Sequence, residues 1–288
     1  MRQNAEPVSL FVVHWNHPTE CVATVRALLN QSVPLRVTVI DNDSASDEYE
    51  KLRASIDPQS EMVRLPKNKG WGPALNVVLR SWLQTAQNAY CLISAHDASP
   101  SNDCIQLLLE AMEKDPCIGI ACPQYPDATV PRFSSVRGVQ LDKGTALERG
   151  AVQFVDVPHG TLMMLRRECL AQIGLFDERY FAYGDEHELG ARAVRHGWKV
   201  ALVWGALVTN PGTATPRAWR SYLFARNSLL LVHDYHGRMA AALRAFLLLG
   251  NTFRLLFSRD KNFAFSIKAR LKAVRDYFAG RYGPPQFE

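Results

Sequence analysis

Short apolar runs alternate with amphipathic segments along the first 122 residues. The first run, SLFVVHW at residues 9–15, is nearly continuous and β-prone, which is typical of a strand buried on both faces. Helical patterns separate it from further apolar runs at residues 37–40, 62–65, 90–94 and 118–122. This alternation predicts an α/β fold, with a mostly parallel sheet and helices on both of its faces.

The pattern loosens between residues 123 and 150, where prolines, glycines and mixed charges predict a loop, or a hairpin, of the sort that covers a site. Beyond it, residues 152–157, 161–165 and 199–204 are predicted strands, and residues 167–173 form a predicted helix. Upstream, Ser101 or Asn102 is the expected N-cap of a helix that follows the fourth strand.

Polar residues follow three of the predicted strands. They are Asp41-Asn42-Asp43-Ser44, the NKGWG segment at residues 68–72, and His96-Asp97. Sheets of this kind bind ligands beyond the carboxyl ends of their strands, so the three segments predict one site. The sequence lacks a G-x-G-x-x-G after the first strand and a G-x-x-x-x-G-K-[ST] motif, which argues against a dinucleotide-binding oxidoreductase and a P-loop NTPase.

A concentration of acidic residues lies within GLFDERYFAYGDEHELGAR, residues 174–192. Gly184 predicts a turn, Asp185 the start of a helix, and Glu188 with Arg192 a helical ion pair. The aromatic residues just upstream would desolvate these carboxylates, which favours a general base. The alternative is an ordinary acidic first turn, stabilised by the free N–H groups of the helix.

This stretch resembles the G-G-F-D-E-x-F-F-x-Y-x-E-D-x-D-L-x-x-R signature of the family 2 inverting glycosyltransferases, and the resemblance extends over about residues 8–227. It implies a GT-A fold with a mixed, mostly parallel sheet. The implied reaction is inverting, rhamnosyltransferase-like transfer of a sugar from a UDP- or dTDP-sugar to a surface glycan or a lipid-linked oligosaccharide. The family's E-D pair falls in swapped order on Asp185 and Glu186, with Glu186 the first choice of base, and a later acid falls on Glu188.

The same resemblance assigns donor-binding and acceptor residues. The implied donor-binding residues are Asp41, Asp43, Asn68, Lys69, Gly70, Asn76, Asp97 and Arg226. His159, Gly160 and Thr161 match the segment that shapes the acceptor pocket, where Gly160 would leave room for a sugar. The plainer alternatives are turn-forming side chains, solvated loop residues and a strand-edge glycine.

Metal binding is expected to be weak. Relatives carry paired carboxylates that bind Mg²⁺ or Mn²⁺ on the donor diphosphate, whereas this chain reads Ala95-His96-Asp97-Ala98. Only Asp97, with a share from His96, is left, and Asn210 stands where many relatives have a histidine. No organic cofactor is expected.

Two alternative functions follow from these departures. A catalytically degenerate GT-A protein would bind a nucleotide-sugar without turnover, and only an assay of transfer or donor hydrolysis separates it from an enzyme. A nucleotidyltransferase ranks last, because residues 14–18 lack the glycine- and arginine-rich loop that such enzymes carry after the first strand.

Composition indicates a globular chain of 288 residues, 47% hydrophobic and 21% charged. The six cysteines form no CxxC pair, which argues for reduced thiols and a cytoplasmic location. The first 15 residues lack the layout of a signal peptide. The expected partners are a nucleotide-sugar and a glycan or lipid-linked acceptor, without nucleic acid.

Charge divides the chain into a predicted catalytic domain, residues 1–216, and a basic helical region, residues 217–288. The latter has 13 Lys and Arg against 4 Asp and Glu. Residues 239–257 predict an amphipathic helix with a polar sector of Arg244, Asn251 and Arg254, followed by Lys261, Lys268, Arg270, Lys272 and Arg275. This pattern predicts peripheral binding to the inner face of an anionic membrane. The alternatives are packing on the catalytic domain and a homodimer interface.

Overall fold

The computed structural model describes residues 6–134, 136–210, 215–256 and 266–286. Its strands are β1 (Val8–His14), β2 (Leu35–Asp41), β3 (Glu61–Arg64), β4 (Tyr90–Ala95), β5 (Ser99–Pro100), β6 (Ile118–Gln124), β7 (Thr129–Ser134), β8 (Gly138–Lys143), β9 (Val152–Phe154), β10 (Leu162–Arg166) and β11 (Lys199–Thr209). Its helices are α1 (Pro18–Leu29), α2 (Ser46–Ser55), α3 (Trp71–Thr85), α4 (Cys104–Lys114), α5 (Arg167–Ile173), α6 (Asp185–Arg195), α7 (Arg217–Leu256) and α8 (Ile267–Phe278). The predicted alternation of strands and helices is confirmed.

The main sheet has the strand order β3-β2-β1-β4-β10-β6-β11-β5, with β9 paired to β11. Strands β3, β2, β1 and β4 are parallel, as are β6 and β11, while β10 runs antiparallel to both of its neighbours. The sheet is therefore mixed and mostly parallel. Register aligns His14 with Asp41 and Val13 with Ala95, so the carboxyl ends of three strands meet at one edge.

Both faces of the sheet are covered, as the continuous apolar first strand predicts. Leu10 and Val12 of β1 belong to one core cluster, with α1 and α4, whereas Phe11 and Val13 belong to another, with α3 and α5. Successive side chains of a strand point to opposite faces of the sheet. A strand that is covered on both faces therefore has a nearly continuous apolar sequence.

Several boundaries differ from those expected from the sequence. The segment after residue 123 contains a hairpin, β7–β8, and the last strand extends to Thr209. The expected cap of α4 is wrong: the helix begins at Cys104 after Asp103, and no side chain caps it. Ser101 instead donates its hydroxyl to the Asp103 carboxylate at 3.1 Å.

The predicted C-terminal helical region is present and packs onto the sheet region. Helix α7 is broken at Gly237, whose φ of 84° lies outside the helical range, so it consists of segments 217–236 and 238–256. The first segment contributes buried residues to a cluster with Phe181, and α8 packs against α7. None of the helices in the described ranges is both long and apolar enough to span a membrane.

The polar sector expected for residues 239–257 is wrong in one respect. Arg244 is partly buried and points inward, on the side of the buried Ala241 and Ala245. The outward side instead exposes large apolar side chains, which are Met239 (85%), Leu243 (51%), Phe246 (72%) and Phe253 (59%). We call these four residues the exposed apolar stripe.

The basic cluster expected after this helix is also rearranged. Asp276, itself buried, binds Lys272 at 3.1 Å and Arg275 at 3.4 Å. Arg270 lines a cavity, and Lys268 remains exposed. Lys261 and residue 257 lie outside the described residues.

Candidate active site

A cavity of about 830 Å³ lies at the edge where the parallel strands end. Its wall combines strand-end residues, the acidic stretch, the β7–β8 hairpin and the C-terminal helices. Representative lining residues are Trp15, Asp97, Gly160, Glu186, Arg244 and Arg270. Distant segments of the chain therefore meet around one cavity.

Asp185 begins α6 directly after Gly184, whose φ of 102° makes the predicted turn. Its side chain has no exposed surface; Oδ2 accepts the N–H of Gly72 at 2.8 Å, and Oδ1 has no hydrogen-bond partner in the described part of the chain. Burial, together with the charge of Glu186, raises the pKa of Asp185 well above its usual range. Asp185 thus joins the first turn of α3 to the first turn of α6.

Both acids of this pair line the cavity, but only Glu186 keeps exposed side-chain surface there. Its side chain is 14% exposed, Oε2 accepts the N–H of Gly184 at 2.9 Å, and Oε1 lies 3.5 Å from Nε2 of His187. Burial lowers the pKa of His187 to about 4, so this imidazole is neutral at neutral pH. It therefore leaves the negative charge of a Glu186 carboxylate uncompensated.

Gly160 lies directly beside Glu186. A Cβ at position 160 would lie 3.4 Å from Cγ and Cδ of Glu186, which is van der Waals contact. Gly160 also lines the cavity, and the expectation that it leaves room for a sugar stays a prediction.

Glu188 does not line the cavity. It is 6% exposed, and its carboxylate receives Arg192 Nη2 at 2.6 Å and the Tyr235 hydroxyl at 3.0 Å. The predicted ion pair with Arg192 is confirmed. Because Glu188 links α6 to α7, its position fits a structural role, in contrast to the catalytic one implied by the resemblance.

His159 and Thr161 lie on the cavity wall beside Gly160. Nε2 of His159 donates to the Pro123 carbonyl at 2.5 Å, which leaves Nδ1 as a buried acceptor without a partner among the described residues. The ring stacks on Tyr125 at 4.2 Å, and the Tyr125 hydroxyl lies 2.5 Å from Oγ1 of Thr161. Burial lowers the pKa of His159 to about 4, so its Nδ1 lone pair stays available.

Asp41 is engaged within the protein. Its side chain has no exposed surface; His14 Nδ1 lies 2.9 Å from Oδ1, and Ser44 N–H donates to Oδ2 at 3.3 Å. Burial acts to raise the pKa of Asp41, but hydrogen bonds from His14 and Ser44 outweigh it and the pKa is lowered. In this arrangement Asp41 supports the loop after β2, and its donor-binding role stays a prediction.

Asn42, which is not predicted to bind the donor, holds the neighbouring loop in place by hydrogen bonds. Its Nδ2 donates to Asn68 Oδ1 at 3.1 Å and to the Gly70 carbonyl at 2.9 Å, while its Oδ1 accepts Lys69 N–H at 2.9 Å. Asp43 is exposed, with a left-handed φ of 63°. Asp43 is thus exposed, and the Lys69 side chain is half-buried.

Gly70 makes a close approach, but to the protein itself. Its φ is 92°, and a Cβ there would lie 2.0 Å from the Phe181 carbonyl oxygen. The same oxygen accepts Trp71 N–H at 2.7 Å. This glycine therefore joins the loop before α3 to the acidic stretch, and its donor-binding role stays a prediction.

Asn76 and Arg226 are likewise bound to backbone groups. Asn76 is 1% exposed, and its amide pairs with both the N–H and the carbonyl of Phe176, at 3.0 and 2.9 Å. Arg226 has no exposed surface and donates to the carbonyls of Tyr180 at 3.0 Å and Gly283 at 2.7 Å. Neither side chain lines the cavity, in contrast to their implied donor-binding roles.

The backbone that Arg226 and Asn227 bind is strained. Phe181 and Tyr183 have φ values of 67° and 63°, which aromatic side chains rarely adopt. Nδ2 of Asn227 donates to three carbonyls of this segment, including those of Ala182 at 2.8 Å and Tyr183 at 2.7 Å. These bonds stabilise a conformation that costs about 1–3 kcal/mol per residue, and they place α6 beside the cavity.

Asp97 is the carboxylate at the end of β4, on the cavity wall. Its Oδ1 accepts Nδ2 of Asn210 at 3.1 Å, and burial raises its pKa. His96 stacks on His17 at 5.4 Å and places Nδ1 3.3 Å from the Val13 carbonyl; burial, with His14 and His17 nearby, lowers its pKa to about 4.

Within the described ranges, His, Cys, Asp and Glu side chains form no cluster of three that suits a metal ion. The residues present therefore do not fit a metal site built from protein ligands alone. Asp97 offers one oxygen ligand, and Mg²⁺ often takes a single carboxylate together with substrate phosphates.

Sequence reasoning missed several residues of the cavity wall. Trp15 follows β1 and stacks on Trp219 of α7 at 6.3 Å. Its position just after a predicted strand could have identified it as a cavity residue. The same holds for Tyr125, which follows β6. Arg244 and Arg270 come from helices whose orientation the sequence does not fix.

Comparison with known proteins gives two family matches. Residues 9–174, more than half of the chain, match the model for glycosyl transferase family 2. Residues 92–265 match the model for glycosyl transferase family group 2. The second match extends through the acidic stretch and the whole of α7.

One similar protein is N-acetylglucosaminyl-diphospho-decaprenol L-rhamnosyltransferase of Mycobacterium tuberculosis, strains CDC 1551 / Oshkosh and ATCC 25618 / H37Rv. It is 25% identical, with 70% of this chain and 76% of the relative covered.

Two solved structures share the fold. GalNAc-T7 with UDP, GalNAc and Mn²⁺ has a TM-score of 0.64 at 15% identity, covering 94% of this chain and 55% of that one. Mannosyltransferase PcManGT from Pyrobaculum calidifontis, with GDP-Man and Mn²⁺, has a TM-score of 0.61 at 18% identity, covering 94% and 75%. The chain thus spans about half the length of the first structure, and both likenesses show the GT-A fold.

Proposed function

The chain belongs to glycosyl transferase family 2 and is a glycosyltransferase, and from that premise we propose that it transfers a sugar from a UDP- or dTDP-sugar, with inversion, to a hydroxyl of a lipid-linked glycan. The observation that carries the proposal is the unequal setting of the two adjacent acids. Both acids line the cavity, but Glu186 keeps exposed surface beside Gly160, whereas Asp185 is fully buried and accepts the Gly72 N–H.

In the proposed reaction, Glu186 accepts the proton of the acceptor hydroxyl as that oxygen bonds to the anomeric carbon. The bond from that carbon to the donor diphosphate breaks, and the nucleoside diphosphate leaves with its electrons. We assign His159 and Thr161, which line the cavity beside Gly160, to the acceptor side of the site. No step here depends on a metal ion, although Asp97 offers one oxygen to a cation carried by the diphosphate.

The lipid-linked acceptor is supported by the mycobacterial relative, whose name specifies a sugar on diphospho-decaprenol. A surface glycan made on such a carrier would place the enzyme in polysaccharide biosynthesis at the inner face of the membrane. The cavity wall includes apolar side chains from the hairpin and α7, among them Phe133, Leu231 and Leu248, which suit the hydrocarbon of such a carrier.

Peripheral membrane binding is part of the proposal. The exposed apolar stripe lies on segment 238–256, in a region with a strong excess of basic residues, and Lys268, Arg275 and Arg281 are exposed nearby. Apolar side chains beside basic ones match an anionic bilayer surface. We retain the division at residue 216 as a proposal, with both parts contributing to the cavity.

The function is tested by incubating the protein with UDP- and dTDP-sugars and a polyprenyl-diphosphate-linked sugar, and by measuring transfer and donor hydrolysis. Sugar transfer supports the proposal. Tight binding of UDP or dTDP without transfer or hydrolysis would instead support a degenerate binding protein.

Membrane binding is tested by flotation with anionic and neutral liposomes, using the wild type and a Met239→Ser/Phe246→Ser variant. We expect the wild type to float with anionic liposomes at low salt and the variant to stay in solution. Arg238→Gln, which changes an exposed charge on the same segment, is the control for the apolar stripe. A wild type that never floats, but loses a dimeric state in the variant, would assign the stripe to a homodimer.

A further inference from the structure

Two arginines from different helices line the cavity away from the strand ends. Arg244 belongs to segment 238–256 of α7, and Arg270 belongs to α8. The catalytic proposal uses neither of them. Arginine binds phosphate groups through several parallel N–H donors, so two arginines at one cavity wall indicate affinity for an anion.

The position of Arg244 is fixed by the hairpin. Nη1 donates to the Val136 carbonyl at 2.8 Å, and the guanidinium lies where a side chain at Gly138 would be, with Nη2 2.7 Å from that Cβ position. Nε is buried and has no hydrogen-bond partner within the described ranges. The guanidinium is thus held in place with donor capacity left over.

The electrostatic setting of Arg244 favours an anionic ligand. Its hydrogen bond to Val136 is made to a neutral carbonyl, so this contact does not neutralise the positive charge of Arg244. Burial and the nearby charge of Arg270 lower the pKa of Arg244. A bound anion would offset both the desolvation of Arg244 and the repulsion between the two cations.

We propose that Arg244 and Arg270 bind the diphosphate of the lipid-linked acceptor, with the isoprenoid chain against Phe133, Val139 and Leu248 of the same wall. This inference rests on the proposed function and deepens it. It assigns a second phosphate subsite, separate from the donor diphosphate expected near Asp97.

The location of the pair argues for the acceptor as the source of this diphosphate. Segment 238–256 carries Arg244 on its inner side and the exposed apolar stripe on its outer side. A helix is about 10–12 Å across with its side chains, so a stripe resting in a bilayer would hold Arg244 near the depth of lipid phosphates. The donor is water-soluble and has no need of this position.

The test is direct binding of geranyl diphosphate, a soluble isoprenoid diphosphate, alongside geranyl monophosphate, UDP and dTDP. The main variant is Arg270→Gln, because it leaves the Arg244 bond to Val136 in place. Arg244→Gln and Arg244→Lys follow, the latter retaining the charge. Matched controls are Lys268→Gln on α8 and Arg254→Gln on α7, both exposed.

We expect Arg270→Gln and Arg244→Gln to weaken geranyl diphosphate binding by about 10- to 100-fold, the usual effect of losing a hydrogen bond to a charged group. Arg244→Lys should recover part of the loss. UDP and dTDP binding should stay within about twofold, and the controls should match the wild type. Geranyl monophosphate should bind more weakly than the diphosphate and lose less in the variants.

Unchanged geranyl diphosphate binding in both glutamine variants would overturn the inference, and an equal loss of UDP or dTDP binding would assign the arginines to the donor. A wild type that transfers sugar but does not bind geranyl diphosphate would refute the subsite and leave the proposed function. A wild type that binds geranyl diphosphate through these arginines, but never transfers sugar, would refute the proposed function and leave the subsite.

Discussion

Two polar regions of the molecule differ in what their side chains contact. One consists of the loops after β2 and before α3, and the other is the segment around Gly160 and Glu186. In the former, Asp41, Asn42 and Asn68 bind His14, Ser44 and backbone groups of the same loops. In the latter, Glu186, His159 and Thr161 line the cavity. A motif residue therefore has one of two roles, holding a loop or meeting a ligand, and only the fold separates them.

The sharpest test of this contrast compares the two adjacent acids. Glu186→Gln should reduce transfer by about 10²- to 10⁴-fold, the usual loss of a positioned base, with donor binding unchanged. Asp185→Asn should lose much less, because an amide keeps an oxygen for the Gly72 N–H and resembles the protonated acid that burial favours. Steady-state rates and donor titrations of both variants measure this.

The assignment of the base is wrong if Asp185→Asn loses as much activity as Glu186→Gln with its fold intact. It is equally wrong if both variants keep full turnover.

Gly70 tests whether the loop before α3 is a support for the acidic stretch. Gly70→Ala should lower the free energy of unfolding by about 3–4 kcal/mol, because its Cβ would overlap the Phe181 carbonyl. The control is Gly237→Ala, which has a similar backbone conformation but nothing within 4 Å of the new Cβ, so it should cost only the backbone strain of about 1–3 kcal/mol. Denaturant unfolding of both variants checks this, and equal costs would contradict the role of Gly70.

Arg226 tests the donor-binding role implied by the family motif. Arg226→Gln should reduce the free energy of unfolding by about 2–3 kcal/mol, since buried carbonyls at Tyr180 and Gly283 lose their donor. Donor affinity, measured by titration of the folded protein, should stay near that of the wild type. A stable variant with weakened UDP or dTDP binding would restore the donor-binding role.

His159 gives a smaller effect that depends on pH. Burial lowers the pKa of folded His159 to about 4, while a histidine in an unfolded chain titrates near 6.5. Between pH 4 and 6.5 the unfolded chain therefore binds one more proton at this residue than the folded chain does. Stability is then present above pH 6.5 and is lost as pH falls toward 4, by up to about 1.4 kcal/mol per pH unit for one proton. His159→Gln should flatten this slope, whereas the exposed His196→Gln should not. Denaturant unfolding at several pH values measures both, and equal slopes would contradict the assignment.

The parts predictable from sequence are those set by local pattern. Alternating apolar runs predict the sheet, and Gly184 followed by acidic residues predicts the start of α6 and the Glu188–Arg192 ion pair. The choice between Asp185 and Glu186 is different, because it depends on the N–H of Gly72, 113 residues away, and on the space at Gly160. The inward orientation of Arg244 likewise depends on the hairpin at Val136, which helical periodicity does not reveal.

The central claim is a single displacement with Glu186 as the base, and the stereochemistry of the product tests it most directly. The sugar transferred from a donor of known configuration is analysed by NMR for its anomeric configuration. Attack by one activated hydroxyl predicts a fully inverted product, whose formation is reduced in the Glu186→Gln variant without a change of configuration. A product that retains the donor's configuration would contradict the account, because it requires a covalent or front-face mechanism that this arrangement of acids does not supply.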